Sequence, residues 1–167
     1  MKKQAKNKSK TNTKLPKIDS LKSWVISDND CEFVVEKDTV IAFPKKWSKE
    51  LSLLLSHLNV IHYGVNLASI KGKDFIPTQS LAMSQLLNKT AFEIVDVDYI
   101  TAISYLRREA IVLEDAPRGY ILLTYNEKPL GFVKNLGNRA NNLYPHEWRI
   151  LSSHIPDERP NVLGLTD

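Results

Sequence analysis

Pro129-Leu130-Gly131-Phe132-Val133-Lys134-Asn135-Leu136-Gly137-Asn138-Arg139-Ala140-Asn141-Asn142-Leu143-Tyr144-Pro145-His146-Glu147-Trp148-Arg149-Ile150 is the stretch on which the reading of this chain turns. Its first residues continue a β pattern: Tyr120 to Tyr125 and Pro129 to Val133 are apolar, strand-forming runs flanking Asn126-Glu127-Lys128, which predicts a hairpin. From Lys134 onward the composition turns to Asn and Gly, too polar to read as core. Lys134, Arg139 and Arg149 supply positive charge. Asn135, Asn138, Asn141 and Asn142 offer paired donors and acceptors, Tyr144 and Trp148 offer stacking faces, and Gly131 and Gly137 permit close backbone approach; together these suit an RNA-binding surface. The same residues also suit plain structure, since Asn clusters build turns, Tyr144 before Pro145 can pack, and Trp148 with Ile150 can close a strand.

Working upstream, Ala91 to Val95 reads as a strand. Asp98 then caps a helix in which Tyr99, Ile103 and Leu106 stack at i, i+4, i+7, and Arg107 and Arg108 fall near its end, where cations suit the helix dipole. Earlier still, Leu21, Trp24 and Val25 indicate a short helix, and Glu32 to Val35 with Thr39 to Phe43 form a hairpin about Glu36-Lys37-Asp38. Trp47, Leu51, Leu54, Leu55 and Leu58 make one apolar stripe, predicting an amphipathic helix over residues 46–58. Asn59 to Tyr63 and Val65 to Ile70 read as strands bent at Gly64, followed by the basic turn Lys71-Gly72-Lys73-Asp74. Thr78 is placed to cap a helix reaching Leu87, with Asn88 as its left-handed stop.

The chain has 167 residues, 43% of them hydrophobic and 25% charged, an ordinary globular composition. Seven of its 23 basic residues lie in residues 1 to 17 with no acid among them, so the remainder sets 16 bases against 19 acids and carries a net −3. The pI of 9.1 therefore belongs to an arm, and polyanion binding by the folded part needs a local patch. The expected fold class is α+β: a disordered lysine-rich arm (1–19), a small α+β unit (20–90), a β-rich unit (91–156) and a flexible tail (157–167). Lys71, Lys73, Arg107 and Arg108 extend the basic surface if the fold brings them to one side, and otherwise are a solvated turn and a helix end.

Enzymatic chemistry finds little footing. The one cysteine, Cys31, lies between Asp30 and Glu32, neighbours that discourage a thiolate. His57, His62, His146 and His154 have no metal-ligand spacing, the six glycines are dispersed, and Asp96 with Asp98 suits capping better than acid–base work. With no apolar run long enough for a membrane span and no signal-peptide core, the sequence points to a cytoplasmic protein with no metal and no membrane contact.

The quoted stretch, together with Lys71-Gly72-Lys73-Asp74-Phe75-Ile76-Pro77, Ser80-Leu81-Ala82-Met83, Ala102-Ile103-Ser104-Tyr105-Leu106-Arg107-Arg108-Glu109 and Gly119-Tyr120, closely resembles the C-terminal region of the Sun/Fmu family of S-adenosylmethionine-dependent RNA cytosine-5 methyltransferases, in its RsmF-like branch. The resemblance spans about residues 20 to 152. It implies a small α+β unit followed by a PUA-like RNA-binding domain, with ribosomal RNA as partner and ribosome biogenesis as setting. The family's two catalytic cysteines, in Pro-Cys and Thr-Cys contexts, and its glycine-rich cofactor loop have no counterpart here. The chain is thus expected to be non-catalytic on its own and to hold no cofactor, S-adenosylmethionine belonging to a catalytic domain elsewhere. The expected role is to position ribosomal RNA for that core; the alternative is a docking module for a methyltransferase domain or a ribosome assembly factor. Arg108 departs from the resemblance, standing where relatives carry a glycine after Tyr-Leu-x.

Overall fold

The computed structural model describes residues 18–26 and 30–155. Most of the lysine arm and the expected tail lie outside the described residues, while Ile18 and Asp19 already belong to a 3-10 helix, Ile18–Trp24. Two four-stranded sheets follow. In the first, β1 (Cys31–Glu36), β2 (Thr39–Pro44), β3 (Val65–Lys71) and β4 (Asp74–Pro77) form an antiparallel meander. In the second, β5 (Glu93–Asp96) runs parallel to β6 (Gly119–Tyr125), and β7 (Lys128–Asn135) and β8 (Ala140–Asn142) continue antiparallel. The parallel pair requires a crossover, supplied by α3 (Tyr99–Leu106), whose first turn is capped by Asp98 as the sequence indicates: its carboxylate accepts from Thr101 N at 2.7 Å. The predicted hairpins both form, the second through Asn126 and Glu127 at φ 48° and 61°, the mirror-type turn that a two-residue connection favours.

Five features differ from the sequence reading. Residues 59–63 are irregular, and the strand that follows them, β3, is paired on both sides by β2 and β4. Gly64, at φ 63°, turns the chain in where a Cβ would stand 2.3 Å from Ala42 O. The helix after Thr78 stops early: α2 is only Gln79–Ala82, and the chain breaks out so that Leu87 bridges to Val25 and Leu86 O accepts from Ile26 N. Asn88 is not left-handed; its carboxamide caps the next 3-10 turn, accepting from Thr90 N, and donates to Ser23 O. The amphipathic stripe forms on α1 (Ser48–His57) and the turn before it, but of its residues only Leu51 is buried, and Trp47, Leu54, Leu55 and Leu58 face outward. Finally, Lys134 to Tyr144 is not a polar loop, since β7 runs to Asn135 and Ala140–Asn142 returns beside it.

The apolar cores do not respect the division into halves. One cluster joins Leu21, Val40, Leu67 and Leu81 of the first sheet's surroundings to Leu122 and Phe132 of the second sheet. Phe92 bridges them, its ring 5.1 Å from Trp24 and 4.7 Å from Phe132. The other cluster lies on the opposite face of the second sheet, where Ala102 and Tyr105 of α3 cover Ile121, Leu123, Val133 and Ala140. A polar clasp also crosses: Gln79 Nε2 donates to Leu130 O at 2.6 Å, and the buried Tyr105 hydroxyl lies 3.4 Å from Gln79 Oε1 while donating to Phe132 O at 3.2 Å. Gly131 makes that clasp possible, since a Cβ there would lie 2.1 Å from the Tyr105 oxygen.

Candidate functional site

The C-terminal end of α3 and the β7–β8 hairpin enclose a concavity of about 680 Å³. Its cations come from two places in the chain, Arg107 and Arg108 at the helix end and Arg139 and Arg149 around the hairpin, with Asn141, Asn142 and His146 on the same surface. Six of the residues singled out in the sequence are thus brought together. His146 and Glu109 were not singled out; the first is set there by the 3-10 turn His146–Trp148 held between Pro145 and Arg149.

Arg108 sits at φ 61°, the left-handed backbone that glycine adopts without strain. The backbone that the family resemblance assigns to glycine is therefore kept, and a guanidinium is added to the cavity wall, its Nη2 3.3 Å from Asn142 O. Arg107 is more enclosed. Its side chain is 11% exposed, Nη2 donates to His154 O at 3.0 Å, Nη1 lies 3.9 Å from the Glu109 carboxylate, and Nε is buried without a hydrogen-bond partner among the described residues. Such an unsatisfied N–H costs on the order of 1–3 kcal/mol.

A second cleft, of about 410 Å³, adjoins through Asn141. Lys134 and Tyr120 of the second sheet and Lys71 of the first line it, so Lys71 does reach the face of Lys134. The Lys134 ammonium rests 5.2 Å from the Tyr120 ring centroid. Lys73 and Asn138 line neither cavity.

Three residues singled out in the sequence make structural contacts within the fold. Asn135 is 1% exposed: its carboxamide nitrogen donates to Ala116 O at 2.9 Å and Pro117 O at 3.2 Å and its oxygen accepts from Gly137 N, so it fastens the loop before β6 and is sealed from ligand. Asn142 donates to Tyr105 O at 2.8 Å and accepts from Tyr144 N, tying the hairpin to the end of α3. Tyr144 is half-buried and packs edge-on between Tyr105, at 5.4 Å, and Trp148, at 6.5 Å, which leaves it a wall and not a free stacking platform. Gly131 and Gly137 likewise admit protein atoms, the latter the Arg118 guanidinium.

The acidic groups are structural too. The Thr124 hydroxyl and the Glu127 N–H hold the Asp96 carboxyl below its ordinary range, and the Thr101 N–H does the same for Asp98. Burial pushes the Tyr105 hydroxyl up, keeping it a neutral donor. Among the described residues no cluster of His, Cys, Asp and Glu can hold a metal ion, and no helix is long and apolar enough to cross a membrane.

The concave cationic surface is raised at one end of the second sheet. Residues 92–150 match the family described as the methyltransferase RsmF PUA domain, so this part of the chain is similar to that domain. The match begins at the bridging Phe92, ends at Ile150 and leaves the first sheet outside it. No curated protein matches the chain.

Proposed function

We propose that the chain grips structured ribosomal RNA in the arginine-lined concavity and so positions a cytosine for a methyltransferase core carried elsewhere, to which S-adenosylmethionine belongs. The observation that carries this reading is the convergence of Arg107 and Arg108 with Arg139 and Arg149 around one cavity, from elements about 30 residues apart in sequence. Four guanidiniums in one concavity suit phosphate oxygens, which arginine meets bidentately. Asn141, exposed and shared with the adjoining cleft, is the amide free to read a base edge or a ribose hydroxyl. The lysines of residues 1–17 add phosphate attraction without selectivity.

The test is the affinity of the double variant Arg139→Ala/Arg149→Ala for a folded ribosomal RNA fragment. Affinity is expected to fall by about tenfold or more and the log–log salt slope by up to about two, with the melting temperature nearly unchanged. Unchanged affinity overturns the reading. The outward apolar face of α1 favours a second role, docking to a methyltransferase catalytic domain. Leu54→Lys with Leu58→Lys should abolish that contact, which unlike RNA binding would be insensitive to salt.

A further inference from the structure

Tyr120, Lys134 and Asn141 form a row across three strands, Tyr120 opposite Lys134 and Lys134 opposite Asn141. Residues paired in this way project from the same sheet face. On that face the preceding pair is Leu122 with Phe132, two residues along each strand, and these pack into the core shared with the first sheet. Beyond the end of that packing lies the cleft of about 410 Å³, and the first sheet supplies its opposite side through Lys71 and Ile76, with Leu143 as a further apolar wall.

The chemistry of this cleft is mixed in a particular way. Its walls are one aromatic ring and two aliphatic side chains, while its rim carries two ammonium groups, a carboxamide and the Asp74 carboxylate. The volume lies in the lower part of the range for small-ligand sites, roughly 300–1,000 Å³, which suits one nucleotide and excludes a duplex. Asn141, on the edge strand β8, lines this cleft and the arginine concavity alike, so the two adjoin at this residue.

We propose that the cleft receives one unpaired nucleotide of the bound RNA. Its base lies against Tyr120 with its edge on Asn141, and its phosphate is neutralised by Lys71 and Lys134, while Asp74 accepts from a base amino group or a ribose hydroxyl. The proposal rests on the RNA reading above and deepens it, for it makes the ligand a stem carrying an unpaired nucleotide, and it makes the first sheet part of the binding site.

The experiment compares the full-length chain on two labelled RNA hairpins, one fully paired and one with a single bulged purine, by fluorescence anisotropy. Wild type and Tyr120→Phe should both prefer the bulged stem by about tenfold, the scale of one base stacked on an aromatic ring. Tyr120→Ala should lose that preference while its affinity for the paired stem stays within about twofold of wild type. Lys71→Ala, at an exposed site in the other sheet, should reduce the preference by about threefold and serves if the tyrosine variant misfolds. Absence of a bulge preference in wild type, or its survival in both alanine variants, overturns the cleft proposal alone. Failure of wild type to bind either hairpin overturns the RNA reading with it.

Discussion

Arg108 shows how much a single position decides. In the left-handed region a side chain with a Cβ costs on the order of 1 kcal/mol relative to glycine, yet here it delivers a guanidinium to the cavity wall. Arg108→Gly should therefore separate stability from binding: the melting temperature is expected to hold or rise, while RNA affinity drops severalfold. A parallel fall in both would mean that Arg108 supports the fold and not the ligand. Residue identity alone made the asparagines look alike, although they divide sharply. Asn135 shares its β7 face with Val133, two residues away, and both are buried, whereas Lys134 between them points to the cleft. That alternation was legible in principle, but it required knowing that the strand continues past Val133, and the Asn-Gly composition argued otherwise.

At the scale of elements, the sequence was most informative where a local signal sufficed. Asp98 at its cap, the two hairpin turns and strands β1 to β3 follow from residues adjacent in the chain. It misled at residues 59–63, which stay irregular, and after Ala82, where long-range pairing draws Leu86 and Leu87 to Ile26 and Val25. The α1 stripe has helical periodicity with or without a partner, so periodicity could not say that it stays exposed. The caps also set the acid response. Asp96 and Asp98 have depressed folded pKa values, so their stabilisation is complete above the ordinary carboxylate range and disappears as pH falls through the folded values. The melting temperature should thus hold from pH 7 to 5 as far as these groups are concerned and decline below about pH 4. Asp96→Asn with Asp98→Asn should flatten that decline; an unaltered acid limb would assign it to other carboxylates.

For the molecule as a whole, the decisive feature is the shared core. Leu122 and Phe132 leave the second sheet's own cluster and pack among Leu21, Val40 and Leu67, and the Gln79–Leu130 and Tyr105–Gln79 contacts cross at Gly131. Unfolding in urea is therefore expected to be one cooperative transition. Gly131→Ala, whose Cβ collides with the Tyr105 hydroxyl, should lower stability by about 2 kcal/mol or more and do so for both sheets together. Two separate transitions, with only one shifted, would contradict a common core. None of this was visible in the sequence, where the two halves read as neighbouring units; nor was the gathering of Arg107 and Arg108 with Arg139 and Arg149, which depends on α3 ending beside the β7–β8 hairpin. The central claim is that the folded surface, and not the lysine arm, recognises RNA. The most direct test is binding of the chain lacking residues 1–17 to a folded ribosomal RNA fragment and to an unrelated duplex, at about 50 and 200 mM salt. Retained preference for the folded fragment, weakened but not abolished by salt, is the expected result, and loss of all binding with the arm would contradict it.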